Sequence, residues 1–224
     1  MRVLAIDTAL EACSCAILDT ARTPALVASK SETMTRGHAE KLVPLVAAMM
    51  NESGIPFAEI DRFAVTVGPG SFTGLRVGIA AARGFALAAE KPLVGLSTLA
   101  ALAAPHIAED DTVSTLAAID ARHDHVYLQL FGPGGSTRIA PRIAPIQDAI
   151  AAAQEGPTRI VGSAASTVAA GCAAPPLLVE ERRFPDIGWV ARLGAASDSN
   201  VPAKPLYLKA ADAQPQTASQ LPRQ

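Results

Sequence analysis

The chain has 224 residues, of which 50% are hydrophobic and 18% charged, enough for one large domain or two small ones with a proper core. A net charge of −2 and a pI near 6.1 supply no basic field, which disfavours a stand-alone nucleic-acid binder. The three cysteines, Cys13, Cys15 and Cys172, are too few for a disulfide framework, and Cys13 and Cys15 read as reduced core residues on one strand face.

The chain opens directly on a strand pattern, RVLAI, rather than on a leader, so no signal peptide is expected. The most apolar helix pattern, 74–89, is too short for a bilayer and carries two arginines, so no membrane association and a cytoplasmic location are expected. Arg2–Ile6 reads as a strand ending at Asp7. Cys13–Asp19 and Ala25–Lys30 follow as antiparallel neighbours. Gly37–Ser53 is helical and stops at Gly54-Ile55-Pro56. A strand at Phe63–Val67, a glycine turn, and a helix over 73–89 come next. Leu93–Leu96 is a short strand, and Ser97 caps a helix predicted to run through Ala104.

The second half repeats this order. Val113–Ile119 ends at Asp120, Val126–Phe131 follows, and GPGGS leads to a weak strand near Arg138–Ile139. A helix from Pro145 to Ala153, a strand at Arg159–Val161, a helix at 163–170, a strand at Leu177–Val179 and a helix from Asp186 to Ala196 complete it. Leu4-Ala5-Ile6-Asp7 is answered by Ala117-Ala118-Ile119-Asp120, which suggests two copies of one α/β unit. The division expected is 1–106, 107–209, and a disordered tail at 210–224.

Three groups of residues could carry chemistry. The turn Gly68-Pro69-Gly70-Ser71-Phe72-Thr73-Gly74 lacks the Gly-Lys-Ser/Thr of a phosphate loop, and its third glycine comes one residue late for a dinucleotide fingerprint. It reads more simply as a tight turn that lets a helix pack on a sheet. Asp7, Thr8 and Asp120, at equivalent strand ends, could face one another across a cleft and hold Mg²⁺ with a nucleotide. No glycine follows Asp120 until Gly132, so half of such a phosphate site is missing. His123 and His125 could ligate a metal with Asp120 or Asp124, but an exposed hairpin edge explains them as well, and no metal site is expected. Arg76 and Arg83 are the only charges from Leu75 to Ala89. Either they lie along the helix to reach water, or they pair with carboxylates of a partner while Gly78, Ala81 and Ala82 permit close helix approach. The 38–53 helix has a similar excess of apolar residues, Met49 and Met50 included, which argues for a helix–helix interface.

LAIDTALEACSCAIL, HAEKLVPLV, VTVGPGSFTGLRVGIAAARGFALAAEKPLVGLSTLAALA, IDARHDHVYLQLF and PLYLK together resemble the TsaB (YeaZ) family, up to about Lys209, with 65–104 the most specific block. His123 and His125 stand where variable polar residues are usual, and Lys209 where arginine is usual. The resemblance implies the α/β fold of the actin-like ATPase (ASKHA) superfamily, with two ribonuclease-H-like βββαβαβα halves. It implies an accessory part in making threonylcarbamoyladenosine in tRNAs that read codons beginning with A, by supporting the catalyst TsaD. In TsaD a His-x-x-x-His pair binds a metal; Thr98 and Leu102 fall at those positions here, which implies no catalytic residues in this chain.

TsaD as a heterodimer partner, the ATPase TsaE, a homodimer when alone, and tRNA contact only through the complex are the implied associations. No cofactor is required of this chain, although ATP or ADP could sit in the cleft or at a subunit interface. The implied partner surface is His38, Leu42, Leu45, Val46, Met49, Phe72, Arg76, Ile79 and Arg83. The competing expectations are an ATPase, a peptidase of the kind that the superfamily's glycoprotease label suggests, and a direct tRNA-binding module.

Overall fold

The computed structural model describes residues 1–198 and 202–209, so the expectation for 210–224 lies outside the described residues. The first sheet is built around β1 (Arg2–Asp7). Antiparallel β2 (Ala12–Asp19) and β3 (Leu26–Thr33) lie on one side, and parallel β4 (Arg62–Gly68) and β5 (Leu93–Ser97) on the other, in the order β3-β2-β1-β4-β5. Its helices are α1 (His38–Ser53), α2 (Phe72–Ala89) and α3 (Thr98–Glu109).

The second sheet comprises β6 (Ser114–Arg122), β7 (His125–Phe131), β8 (Thr137–Pro145), β9 (Thr158–Val161) and β10 (Leu178–Glu180). Its order, β10-β9-β6-β7-β8, is the first order read backwards, with β6 in the place of β1. α4 (Ile146–Ala153), α5 (Ala165–Gly171) and α6 (Ile187–Ala196) complete the second βββαβαβα succession. The repeat read from the matching Ile-Asp ends is therefore a repeat of topology.

The central strands are buried on both faces, which is why they read as unbroken apolar runs. On the outer face of the first sheet Leu4, Ile6, Cys13, Ile17, Phe63 and Val65 pack with Leu42, Met49, Leu75 and Ile79 of α1 and α2. On its inner face Val3, Ala5, Ala16, Ala64 and Val94 meet Ile187, Val190 and Ala191 of α6. Leu99, Leu102 and Ala103 of α3 pack on Ala117, Ile119 and Val161 of the second sheet. The last helix of each repeat thus covers the other repeat's sheet. Close contact of α6 requires Gly194, where a Cβ would stand 2.5 Å from that of Ala64.

Two boundaries differ from expectation. α3 continues through Pro105 to Glu109, because the buried stripe that ends at His106 outweighs the hydrogen bond that a proline removes. β8 has nine residues instead of a weak pair; it is an edge strand, where its prolines need donate to no further neighbour. Cys13 and Cys15 are free and buried, and burial pushes their thiols up to about 11 and about 12, as reduced core residues should be. α2 is long and apolar enough to cross a membrane by composition alone, yet its apolar face packs on the first sheet.

Candidate functional site

The C-terminal ends of β1, β4 and β6 open on a cleft of about 750 Å³. It is lined by the Ala9–Glu11 turn, His38, the Pro69–Phe72 turn, Ala121 and Arg122, Tyr127, and residues 206–209.

The glycines of the 68–74 turn serve close packing. A Cβ on Gly70 would lie 2.2 Å from the Ala9 carbonyl oxygen, and one on Gly74 would lie 2.1 Å from that of Thr8. One turn further along α2, Gly78 leaves room for the Thr8 hydroxyl, which a Cβ there would approach to 2.3 Å. The Ser71 N–H donates to the Ala9 carbonyl at 2.7 Å, and the Ser71 Oγ caps α2 by accepting from the Gly74 N–H at 3.3 Å. The plainer reading of this turn is what the structure shows. It also corrects the role expected of Gly78, which faces inward rather than toward another chain.

Asp7, Thr8 and Asp120 do not converge. The Thr8 hydroxyl donates to the Gly74 carbonyl at 2.7 Å, and the side chain is buried. Asp7 is fully buried. Its Oδ1 accepts from the Thr66 hydroxyl and, at 3.1 Å, from the Ala9 N–H, while its Oδ2 has no partner among the described residues. Burial pushes the Asp7 carboxyl above the usual carboxylate range, and the Thr66 and Ala9 hydrogen bonds and nearby His38 only partly oppose this. Asp120 is exposed, accepts from the Arg122 N–H at 2.8 Å, and lines a separate hollow of about 360 Å³ with His123, His125 and Ser163. The paired-carboxylate nucleotide site expected across the cleft is therefore not assembled: one carboxylate is sealed in the first core and the other faces a different hollow.

His123 and His125 form the exposed hairpin edge, with the His125 Nδ1 2.7 Å from the His123 carbonyl oxygen. Among the described residues no three His, Cys, Asp or Glu side chains are grouped to hold a metal ion.

The expected partner surface divides in two. Leu42, Leu45, Val46, Met49 and Ile79 are at most 4% exposed and belong to the chain's own core, so a partner cannot reach them. The excess apolar residues of α1 and α2 are accounted for by the first sheet, which the two helices cover together, and by their contact with each other. His38 is also buried, and it lines the cleft with its Nε2 unpartnered among the described residues.

Phe72, Arg76 and Arg83 do face outward, but their contacts are with the chain's own C-terminal strap, residues 202–209. The Arg76 guanidinium lies 3.8 Å from the Phe72 ring centroid, and its Nε donates to the Tyr207 hydroxyl at 3.2 Å. Arg83 donates to the Ala203 carbonyl at 2.8 Å, and the Leu206 N–H donates to that of Val67 at 2.7 Å. Gly68, at φ +120°, and Gly95 leave room for the strap; Cβ atoms there would come 2.8 Å from the Leu206 carbonyl oxygen and the Ala203 Cα. Leu206 and Tyr207 are residues that pattern alone does not assign to the site, although the PLYLK segment carries them.

A family model described as "TsaD: tRNA N6-adenosine threonylcarbamoyltransferase" matches residues 27–178. The tRNA threonylcarbamoyladenosine biosynthesis protein TsaB of Escherichia coli is 42% identical over 127 residues, which are 57% of this chain and 53% of that protein. The match thus spans about half the length of that relative. A Mycobacterium tuberculosis protein of uncharacterised role is 36% identical over 217 residues, 95% of this chain and 94% of its own. The solved structure of YeaZ from Pseudomonas aeruginosa superposes with a TM-score of 0.73 at 27% identity, covering 92% of this chain and 99% of that one. At 14% identity and a TM-score of 0.50, the ROK hexokinase of Thermus thermophilus shares the fold alone. The mixed α/β architecture of two five-stranded sheets is thus shared with YeaZ and, as a fold, with the ROK hexokinase.

Proposed function

The chain belongs to the family that the TsaD-type model describes, in its TsaB (YeaZ) branch, and has a part in threonylcarbamoyladenosine modification of tRNA; from that membership we propose that it acts as a non-catalytic subunit that docks a TsaD-type catalyst. The catalyst moves a threonylcarbamoyl group onto the adenosine beside the anticodon, and this chain supports it by binding. A cytoplasmic location, a homodimer in the catalyst's absence, association of a TsaE-type ATPase with the assembled pair, and tRNA contact only through the complex are parts of the same proposal.

The observation that carries the docking is the outward face of α1 and α2. α1 exposes Ala39, Val43 and Ala47, one turn apart, and α2 exposes Ala80, Gly84 and Leu87. Val43 is 53% and Leu87 80% exposed, beside small residues that let another helix approach closely. Arg76 and Arg83 lie along α2, which has no acidic residue of its own, so the face suits a partner that presents carboxylates. The absence of a catalytic role is supported by α3, where Thr98 and Leu102, at the positions of the metal-binding pair by resemblance, are 0% and 1% exposed.

The test is gel filtration of the chain mixed with the TsaD-type protein of the same organism. Val43→Asp and Leu87→Asp, both outside the core, are expected to abolish the complex while leaving the melting temperature unchanged. A complex that survives both changes would show that docking occurs elsewhere.

A further inference from the structure

Arg76 and Arg83 are the cations that α2 presents to a partner, and the chain's own C-terminal strap already holds both. Neither is paired with a carboxylate among the described residues, whereas Arg2, Arg159 and Arg182 each are. Their acceptors are neutral: the Tyr207 hydroxyl, 3.2 Å from the Arg76 Nε, and the Ala203 carbonyl, 2.8 Å from the Arg83 guanidinium. A carboxylate would add Coulomb attraction and a second, parallel hydrogen bond that neither acceptor supplies. A charged partner can therefore compete with the strap for the same side chains.

The strap is held unequally along its length. Ala203 is 7% exposed, and Leu206 packs on the first core with its N–H on the Val67 carbonyl. Gly68 and Gly95 leave the room that this part occupies. Tyr207, the next residue, is exposed. Its ring lies 5.2 Å from that of Phe72, which is exposed as well, and its hydroxyl meets the arginine that also covers the Phe72 ring. The change from anchored to superficial falls between Leu206 and Tyr207. Phe72, Arg76, Ala80, Gly84 and Leu87 recur at helical spacing and are all exposed, so the Tyr207 cluster stands at one end of the outward stripe of α2. Tyr207, Leu208 and Lys209 also line the cleft, which joins the two surfaces through one short segment.

We propose that residues 207–209 are an intrachain latch on α2: Tyr207 occupies Arg76 in the free chain, and a carboxylate of the docking partner takes that arginine and releases the segment. Release withdraws Tyr207, Leu208 and Lys209 from the lining of the cleft, while Leu206 and Ala203 stay anchored. The inference rests on docking through the outer face of α1 and α2. The partner favours the released state because only there is the Arg76 guanidinium free of the Tyr207 hydroxyl, so docking and the opening of the cleft are coupled.

The chain has two tyrosines, Tyr127 and Tyr207, so the full chain labelled with 3-fluorotyrosine gives two fluorine resonances, and Tyr207→Phe identifies the second. Packing on Phe72 should hold the Tyr207 signal away from its position in urea, and saturation with the TsaD-type protein of the same organism should bring it there. A Tyr207 signal that keeps its free-chain position in the complex would overturn the latch. Unlabelled Tyr207→Phe removes the hydroxyl and keeps the ring, and should tighten docking by about two- to tenfold with unchanged melting temperature. In an Arg76→Ala background that gain should vanish. Docking that Tyr207→Phe leaves unchanged or weakens, or a gain that persists without Arg76, would also overturn it and leave Tyr207 as a fixed part of the surface. If no complex forms on gel filtration, the docking reading fails and takes the latch with it; a complex in which Tyr207 stays in place fails the latch alone.

Discussion

The two repeats share a topology and differ in what they keep at equivalent places. Gly68 ends β4 at φ +120° and Gly162 follows β9 at φ +122°, so both strand-to-helix turns use the same backbone device. The helix after the first turn has 18 residues, and the one after the second has seven. α1 has 16 residues where α4 has eight. Asp7 is sealed in a core, and its counterpart Asp120 stands in solvent. The first repeat has kept long helices with an inner apolar face and an outer face of small residues. The second has kept a short cover for its sheet. The fold sets the strand order and the turns, while helix length decides how much helical surface each repeat presents.

The largest effect should separate the inner from the outer face of α1. Met49→Asp buries an unpaired carboxylate at a 0% exposed site and should cost more than about 4 kcal/mol, read as loss of the cooperative urea transition. Val43→Asp, on the opposite face, should change stability by no more than about 0.5 kcal/mol. Equal effects at the two positions would mean that the faces are wrongly assigned.

Next in size is the turn device. Gly162→Ala introduces a Cβ 2.2 Å from the Ala118 carbonyl oxygen at a positive φ, and should cost roughly 2–4 kcal/mol from overpacking and backbone strain together. Gly156→Ala, with nothing within 4 Å, is the control and should be nearly silent in the same denaturation series.

The smallest effect sharpens the comparison of the two aspartates. The Asp7 carboxyl is held above its ordinary range, so its folded state binds a proton more readily than its unfolded state does. Its contribution to stability is full below the ordinary aspartate pKa and is lost as pH rises through the raised value. Asp7→Asn keeps the Oδ1 that accepts from Thr66 and Ala9, and removes the buried charge. The variant should gain stability over the natural chain near neutral pH, and the gain should vanish in acid, as followed by urea midpoints across pH. Asp120→Asn, at an exposed site, should show no such divergence.

Much of the fold is legible in the residues. The apolar runs ending in Asp7 and Asp120, the Gly54 and Ser97 boundaries, and the repeated element order follow from local period and punctuation, which any strand or helix must obey. The turn at 68–74 is also legible as a packing turn, because it satisfies neither nucleotide template. The excess of apolar residues on α1 and α2 is real, but sequence cannot tell a face turned to the chain's own sheet from one turned to another protein. Leu42 and Met49 read the same in either case, whereas Ala39, Ala47 and Gly84 carry no hydrophobic signal at all.

The order of elements and the duplication were determined by the sequence alone, since hydrophobic period, turn residues and strand ends are local properties. Only the tertiary structure decided that α3 and α6 cover each other's sheets, that Arg76 and Arg83 hold the 202–209 strap, and that Asp7 and Asp120 never share a cavity. Those facts join residues far apart in the chain, Val3 with Ala191 among them, and no local preference records which distant surface a buried face will meet.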